Sequence, residues 1–175
     1  NKKLEKKIIN KIVKPTLNAL KRKRNPYTGF LYVGLMIKDN EPYLIEYNVR
    51  MGDPECQVIL PRLKTDLVKI LNAAIKNKLN KIKIMWSNDK CMTTVLCAKG
   101  YPDKYDSNKI INLKKIKLNR KSFIFHAGTK FVNNSLVSTG GRVLNVVVLG
   151  SRFLEIRNQI YKIMKKINWK YGFFR

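Results

Sequence analysis

Two apolar runs of strand length, Phe30 to Ile37 and Tyr43 to Val49, stand only a few polar residues apart, and this pairing constrains the fold more than any other feature. The separating quartet Lys38-Asp39-Asn40-Glu41 is too short for a crossover, so the runs are expected to pair antiparallel through a tight connection. The first run is continuous and reads as a buried strand. The second carries polar side chains, and period-two geometry places Leu44, Glu46 and Asn48 on one face. A rise of about 3.3 Å per residue separates the Cα atoms of Glu46 and Asn48 by roughly 6.6 Å, so one hard cation could touch both side chains. A polar strand face that simply meets water fits the same triplet.

The strand runs out at Arg50-Met51-Gly52-Asp53-Pro54-Glu55. A flexible glycine, an N-capping aspartate and a proline suited to the first helical turn predict a short helix from Pro54 that stops before Pro61. Arg50 and Asp53 sit where a guanidinium and helix-terminal amides can hold anions. The local alternative is that Asp53 only caps the helix and Arg50 only pairs with it or with Glu55.

Upstream, Leu4, Ile8, Ile9, Ile12 and Val13 recur at helical spacing, which predicts an amphipathic helix over 3–21, kinked at Pro15. Downstream, Leu63, Leu67, Ile70, Leu71, Ala74, Ile75 and Leu79 share a helical face, with Thr65 or its neighbour as cap. The pattern then changes to strands at Thr93 to Ala98, Ser122 to Phe125 and Arg142 to Leu149. A final helix follows, with Phe153, Ile156, Ile160, Ile163 and Ile167 facing the sheet. The chain is therefore expected to be α+β, dividing into 1–85 and 86–175.

His126 is the lone histidine, in Phe125-His126-Ala127-Gly128-Thr129-Lys130 at a strand end. With Thr139-Gly140-Gly141-Arg142 it offers hydroxyls, cations and flexible backbone at two neighbouring strand ends, which suits a phosphate or nucleotide. A structural histidine is the competing reading. There is no P-loop, no GxGxxG, no zinc spacing and no serine nucleophile elbow.

A net charge of +26 ordinarily suggests nucleic acid. Here lysines far outnumber arginines and spread along the whole chain among asparagines and isoleucines, as in a protein from an AT-rich genome. Clustered arginines with stacking aromatics are absent, so a nucleic-acid partner is not expected. Cys56, Cys91 and Cys97 are odd in number and read as core thiols. No apolar run is long enough to span a bilayer and no signal peptide is evident, so a soluble, cytoplasmic protein with no membrane partner is expected. The chain opens at Asn1 without methionine and reads as a fragment.

Tyr27 to Met36, Glu46 to Leu63, Phe125 to Lys130 and Thr139 to Leu144 together resemble, in order, the phosphoribosylamine–glycine ligase family of the ATP-grasp superfamily. The resemblance covers nearly the whole chain. It implies the C-terminal part of an ATP-grasp domain, antiparallel strands with helices, followed by a small mixed β-sheet domain with a C-terminal helix. It implies ATP-dependent ligation of glycine to 5-phosphoribosylamine, giving glycinamide ribonucleotide, ADP and phosphate in purine synthesis. Glu46 and Asn48 are then ligands of a magnesium or manganese ion bridging the ATP phosphates. Arg50 and Asp53 would act as catalytic residues facing the substrates, and Thr129 and Arg142 as substrate-binding residues. The family's N-terminal domain and ATP pocket have no counterpart in this sequence, so the chain alone is expected to be inactive, working with the missing N-terminal part of the same enzyme. The alternative is a free-standing basic module that binds RNA or an anionic ligand on a remnant scaffold.

Overall fold

The structure, a computed structural model, describes residues 1–174 and divides into two compact units. The first comprises Asn1–Gly52 and Asp66–Lys83; the second comprises Asp53–Thr65 and Ile84 onward.

In the first unit the amphipathic segment forms α1 (Lys2–Ile8), a π-helical stretch Ile9–Val13, and α2 (Lys14–Arg22). Proline cannot donate to the helical ladder, and the disturbance expected at Pro15 takes the form of the π-helical stretch immediately before it. The hairpin is β1 (Tyr32–Lys38) with β2 (Glu41–Asn48), joined by Asp39 and Asn40 at φ 51° and 59°, the positive pair that a two-residue hairpin turn demands. Lys7 and Lys11 both bind the Glu41 carboxylate, and Thr16 hydrogen-bonds the Tyr47 hydroxyl, so the helical segment is tied to the hairpin at two points.

Two expectations change here. Gly34 pairs with Glu46 but Leu35 pairs with Leu44, so a β-bulge leaves Ile45 extra. The bulge breaks the alternation: Glu46 and Asn48 share a face, and Leu44 lies on the other one. The first strand is also not buried, since only Gly34 in β1 is fully covered and Met36 and Ile37 are exposed.

The second unit holds α3 (Cys56–Ile59), which runs into a 3₁₀ turn over Leu60–Arg62. This helix starts two residues later than expected, with Glu55 and not Asp53 at its N-cap. In the first unit, α4 (Leu67–Ile75) is capped by Asp66, which accepts from Lys69 N at 2.7 Å. It is shorter than the apolar stripe because Leu63 bridges to Trp86 and Leu79 enters a 3₁₀ turn.

The remaining strands are β3 (Lys90–Ala98), β4 (Ser122–His126), β5 (Thr129–Val132), β6 (Ser135–Ser138), β7 (Arg142–Gly150) and β8 (Gly172–Phe174). Four of them form a sheet in the order β4-β7-β3-β8, and β5 with β6 makes a separate hairpin. The α+β class holds, but the sheet expected to be mixed is antiparallel at every pairing. Its apolar-rich central strand β7 is almost wholly buried, Asn145 included. Against it packs α5 (Phe153–Ile167), whose Ile156, Ile160, Ile163 and Ile167 are buried as the periodicity required, while Phe153 stays exposed. Of the three thiols expected in the core only Cys97 is buried; Cys56 and Cys91 are half-buried. No helix among the described residues is long and apolar enough to cross a membrane.

Candidate functional site

The bulge sets up the first group of residues. Beyond it, Glu46 lies across the backbone of Gly34 on the neighbouring strand, where an added Cβ would come within 2.9 Å of Glu46 Cγ. Any larger residue at 34 would push the carboxylate away. Asn48 Nδ2 donates to Glu46 Oε1 at 3.1 Å, so the two side chains meet on one face. Although the chain carries +26, Glu46 makes no ion pair among the described residues. Its charge is therefore left to be met by something else.

The donor set defines what that could be. No group of three or more His, Cys, Asp or Glu among the described residues could hold a metal, which excludes a closed site of the zinc kind. One carboxylate and one amide oxygen are hard donors, and they fit an ion such as magnesium that takes one or two protein ligands and completes its shell with water and phosphate. Arg50 follows on the same strand exit. Its Nη1 donates to Met51 O at 2.9 Å, and the exposed guanidinium has no carboxylate partner among the described residues.

The second group lies within the sheet unit. Arg142, at the start of β7, donates through Nη1 to Asp53 Oδ2 at 3.0 Å and to the Asp53 backbone oxygen, and through Nε to the Tyr101 hydroxyl at 3.0 Å. Its guanidinium carbon stands 5.9 Å from the Tyr101 ring centroid. The Tyr101 hydrogen bond, and then the Asp53 charge, raise the Arg142 pKa above its ordinary value against the opposing effect of partial burial. Gln57 Nε2 donates to the other Asp53 oxygen at 3.0 Å. Asp53 is thus held by two side chains, and capping the helix is not its role.

Two glycine contacts make this arrangement possible. A Cβ on Gly141 would lie 2.1 Å from Tyr101 Cδ2, and one on Gly128 would lie 2.6 Å from the Gly140 backbone. Gly128 N donates to Arg142 O and Thr139 N to Gly128 O, each at 2.8 Å, so the 126–130 and 139–142 segments are laced together. His126 Nδ1 lies 2.9 Å from Thr129 Oγ1, with both side chains at the surface end of the β4–β5 turn, and Lys130 is exposed. Sequence reasoning did not find Tyr101 or Gln57 as partners. An aromatic in a Gly-Tyr-Pro turn and a glutamine four residues after Asp53 are the only signals, and both are commonplace.

Residues 1–56 match the family "Phosphoribosylglycinamide synthetase, ATP-grasp (A) domain" and residues 91–175 match "Phosphoribosylglycinamide synthetase, C domain". A phosphoribosylamine–glycine ligase of Agrobacterium fabrum is 43% identical over 168 residues, covering 95% of this chain and 39% of that protein. The chloroplastic enzyme of Arabidopsis thaliana is 41% identical over 179 residues, covering 99% of this chain and 34% of that protein. Among solved structures, the phosphoribosylamine–glycine ligase of Thermotoga maritima superposes with a TM-score of 0.75 at 32% identity, covering 95% of this chain and 41% of that one. The chain thus spans about two-fifths of the length of such relatives. With both family segments in the family's order, and the fold of a solved relative, the chain belongs to the phosphoribosylamine–glycine ligase family.

Proposed function

We propose that this chain is the C-terminal part of an ATP-dependent carbon–nitrogen ligase that joins glycine to 5-phosphoribosylamine, yielding glycinamide ribonucleotide, ADP and phosphate. The observation that carries the reading is the Glu46–Asn48 pair over Gly34, a hard-oxygen site with an unneutralised carboxylate. Glu46 and Asn48 would hold the divalent ion, magnesium or manganese, which when bound would withdraw charge from the ATP phosphates. Arg50, lacking a carboxylate partner, would neutralise charge developing on the transferred phosphoryl group or on the glycine carboxylate.

Asp53 and Arg142 enter in altered roles. Because Asp53 is held by Arg142 and Gln57, it is better suited to fixing the Gly52-Asp53-Pro54 turn than to touching substrate. Arg142 keeps further N–H donors, and Thr129 with His126 offers a hydroxyl and an imidazole; these would receive the phosphoribosyl substrate. The family division into an ATP-grasp portion and a C domain is proposed to fall near residue 85. Exposed Met36, Tyr43, Leu44, Ile45 and Val49 on the hairpin support an N-terminal part of the same enzyme as the covering partner. A basic RNA-binding module draws no support from the family matched above. The enzyme is proposed to work in an aqueous compartment, the cytoplasm by the sequence reading.

In the complete protein, Glu46→Gln should lower kcat at least about 100-fold and raise the magnesium concentration needed for half-maximal rate. Glycine-dependent ADP release measured across a magnesium titration tests this. An unchanged magnesium requirement in the variant would remove the metal role.

A further inference from the structure

The sheet unit contains a concavity of about 420 Å³, lined by Lys99, Gly100, Lys104, Tyr105, Asp106, Lys109, Lys170 and Tyr171. We propose that it binds a small phosphate ester or polyphosphate carrying at least two negative charges. The inference is independent of the ligase reading, because it uses no residue of either group described above. Tyr101, which contacts Arg142, is not among its lining residues.

The charge balance carries the argument. Four lysines face one carboxylate, and the only ion pair is Lys109 Nζ to Asp106 Oδ2 at 3.2 Å. Lys99, Lys104 and Lys170 have no acidic partner among the described residues. Lysine is abundant along this chain, so its presence decides nothing; convergence on one concavity does, since like charges gathered there repel until an anion meets them.

The backbone that carries the lysines is held by defined contacts, while the lining residues other than Lys109 are exposed. Lys99 N donates to Tyr171 O at 2.8 Å, tying the loop to the chain that carries Lys170. Asp103 N donates to Gly100 O at 2.9 Å, closing the turn. Gly100 has φ +94°, and an added Cβ would strike Lys104 O at 2.1 Å, so glycine is required for the turn to close. Tyr171 supplies a ring with Lys109 Nζ 5.4 Å and Lys170 Nζ 5.2 Å from its centroid, and Trp169 packs edge-on at 6.1 Å to hold it. The volume falls within the roughly 300–1,000 Å³ of small-molecule sites. Lysine ammoniums recognise phosphate as point charges, without the bidentate geometry of arginine, so the site selects for charge more than for shape.

Inorganic pyrophosphate is the probe, titrated calorimetrically into the full chain at low and at physiological salt. Saturable one-to-one binding that weakens with salt is expected. The double variant Lys104→Gln with Lys170→Gln should weaken it about tenfold or more. The pair Lys162→Gln with Lys165→Gln, exposed on α5, removes equal charge elsewhere and should change affinity less than about twofold. Lysine acetylation followed by mass spectrometry gives a readout without variants: pyrophosphate should shield Lys99, Lys104, Lys109 and Lys170 and leave Lys162 and Lys165 reactive. Equal weakening by both pairs, binding without saturation, or uniform shielding would overturn the site. So would an RNA oligonucleotide that displaces pyrophosphate and protects lysines across the whole surface, which would favour nucleic acid.

Discussion

Glu41 is bound by Lys7 and Lys11 together, and their hydrogen bonds, Lys7 first, hold its carboxyl down at about 2 against an ordinary carboxylate near 4.3. A pKa lowered by folding means the contribution is present above the unfolded value and is lost as pH falls from about 4.3 toward 2. The carboxylate is solvent-accessible, so the effect is modest and screened by salt. Urea midpoints followed by far-ultraviolet circular dichroism should drop more steeply between pH 5 and pH 2.5 in the wild type than in Glu41→Gln, the two curves meeting near pH 2. Parallel curves would show that the lysine pair contributes nothing.

At this same scale the sequence was legible in kind but not in partner. The two-residue spacing placed Glu46 and Asn48 on one face, where their side chains meet, while the metal role comes from the family resemblance. The cap alternative for Asp53 fails, because an aspartate before a proline and a helix looks like a cap in sequence although Glu55 takes that position. Its real partner, Arg142, lies 89 positions away and is joined to it by tertiary folding alone.

Among elements, periodicity succeeded where one layer covers another. The isoleucine stripe of α5 and the valine-rich run of β7 were legible because burial on the sheet leaves an apolar pattern in the sequence. The β5–β6 hairpin was not, since its strands are four residues each and carry no strong alternation. The bulge at Ile45 was equally silent, because one extra residue changes the face of Leu44 without changing composition. The core of α5 offers a direct check. Ile160 is 1% exposed, so Ile160→Ala should cost about 2–5 kcal/mol in urea unfolding. Phe153→Ala, at a residue 54% exposed, should cost less than about 1 kcal/mol. Equal losses would mean that α5 does not pack on the sheet through its isoleucine stripe.

For the whole molecule, the net charge of +26 pointed toward nucleic acid and the motifs pointed toward a ligase. The family match decides between them, since most of the lysines lie on exposed faces spread along the whole chain. The hairpin meanwhile exposes apolar side chains that a free-standing module would have to cover, whereas the remainder of an ATP-grasp domain would bury them.

The most direct measurement joins this chain to the N-terminal portion of the Thermotoga maritima ligase that precedes the matched segment, and follows ADP release with ATP, glycine and 5-phosphoribosylamine. Release from the chimera that requires both glycine and the amine, with none from the 175-residue chain alone, is the expected result. A folded chimera that binds ATP yet releases no ADP in response to glycine and the amine would contradict the assignment, as would ligase activity from the chain by itself.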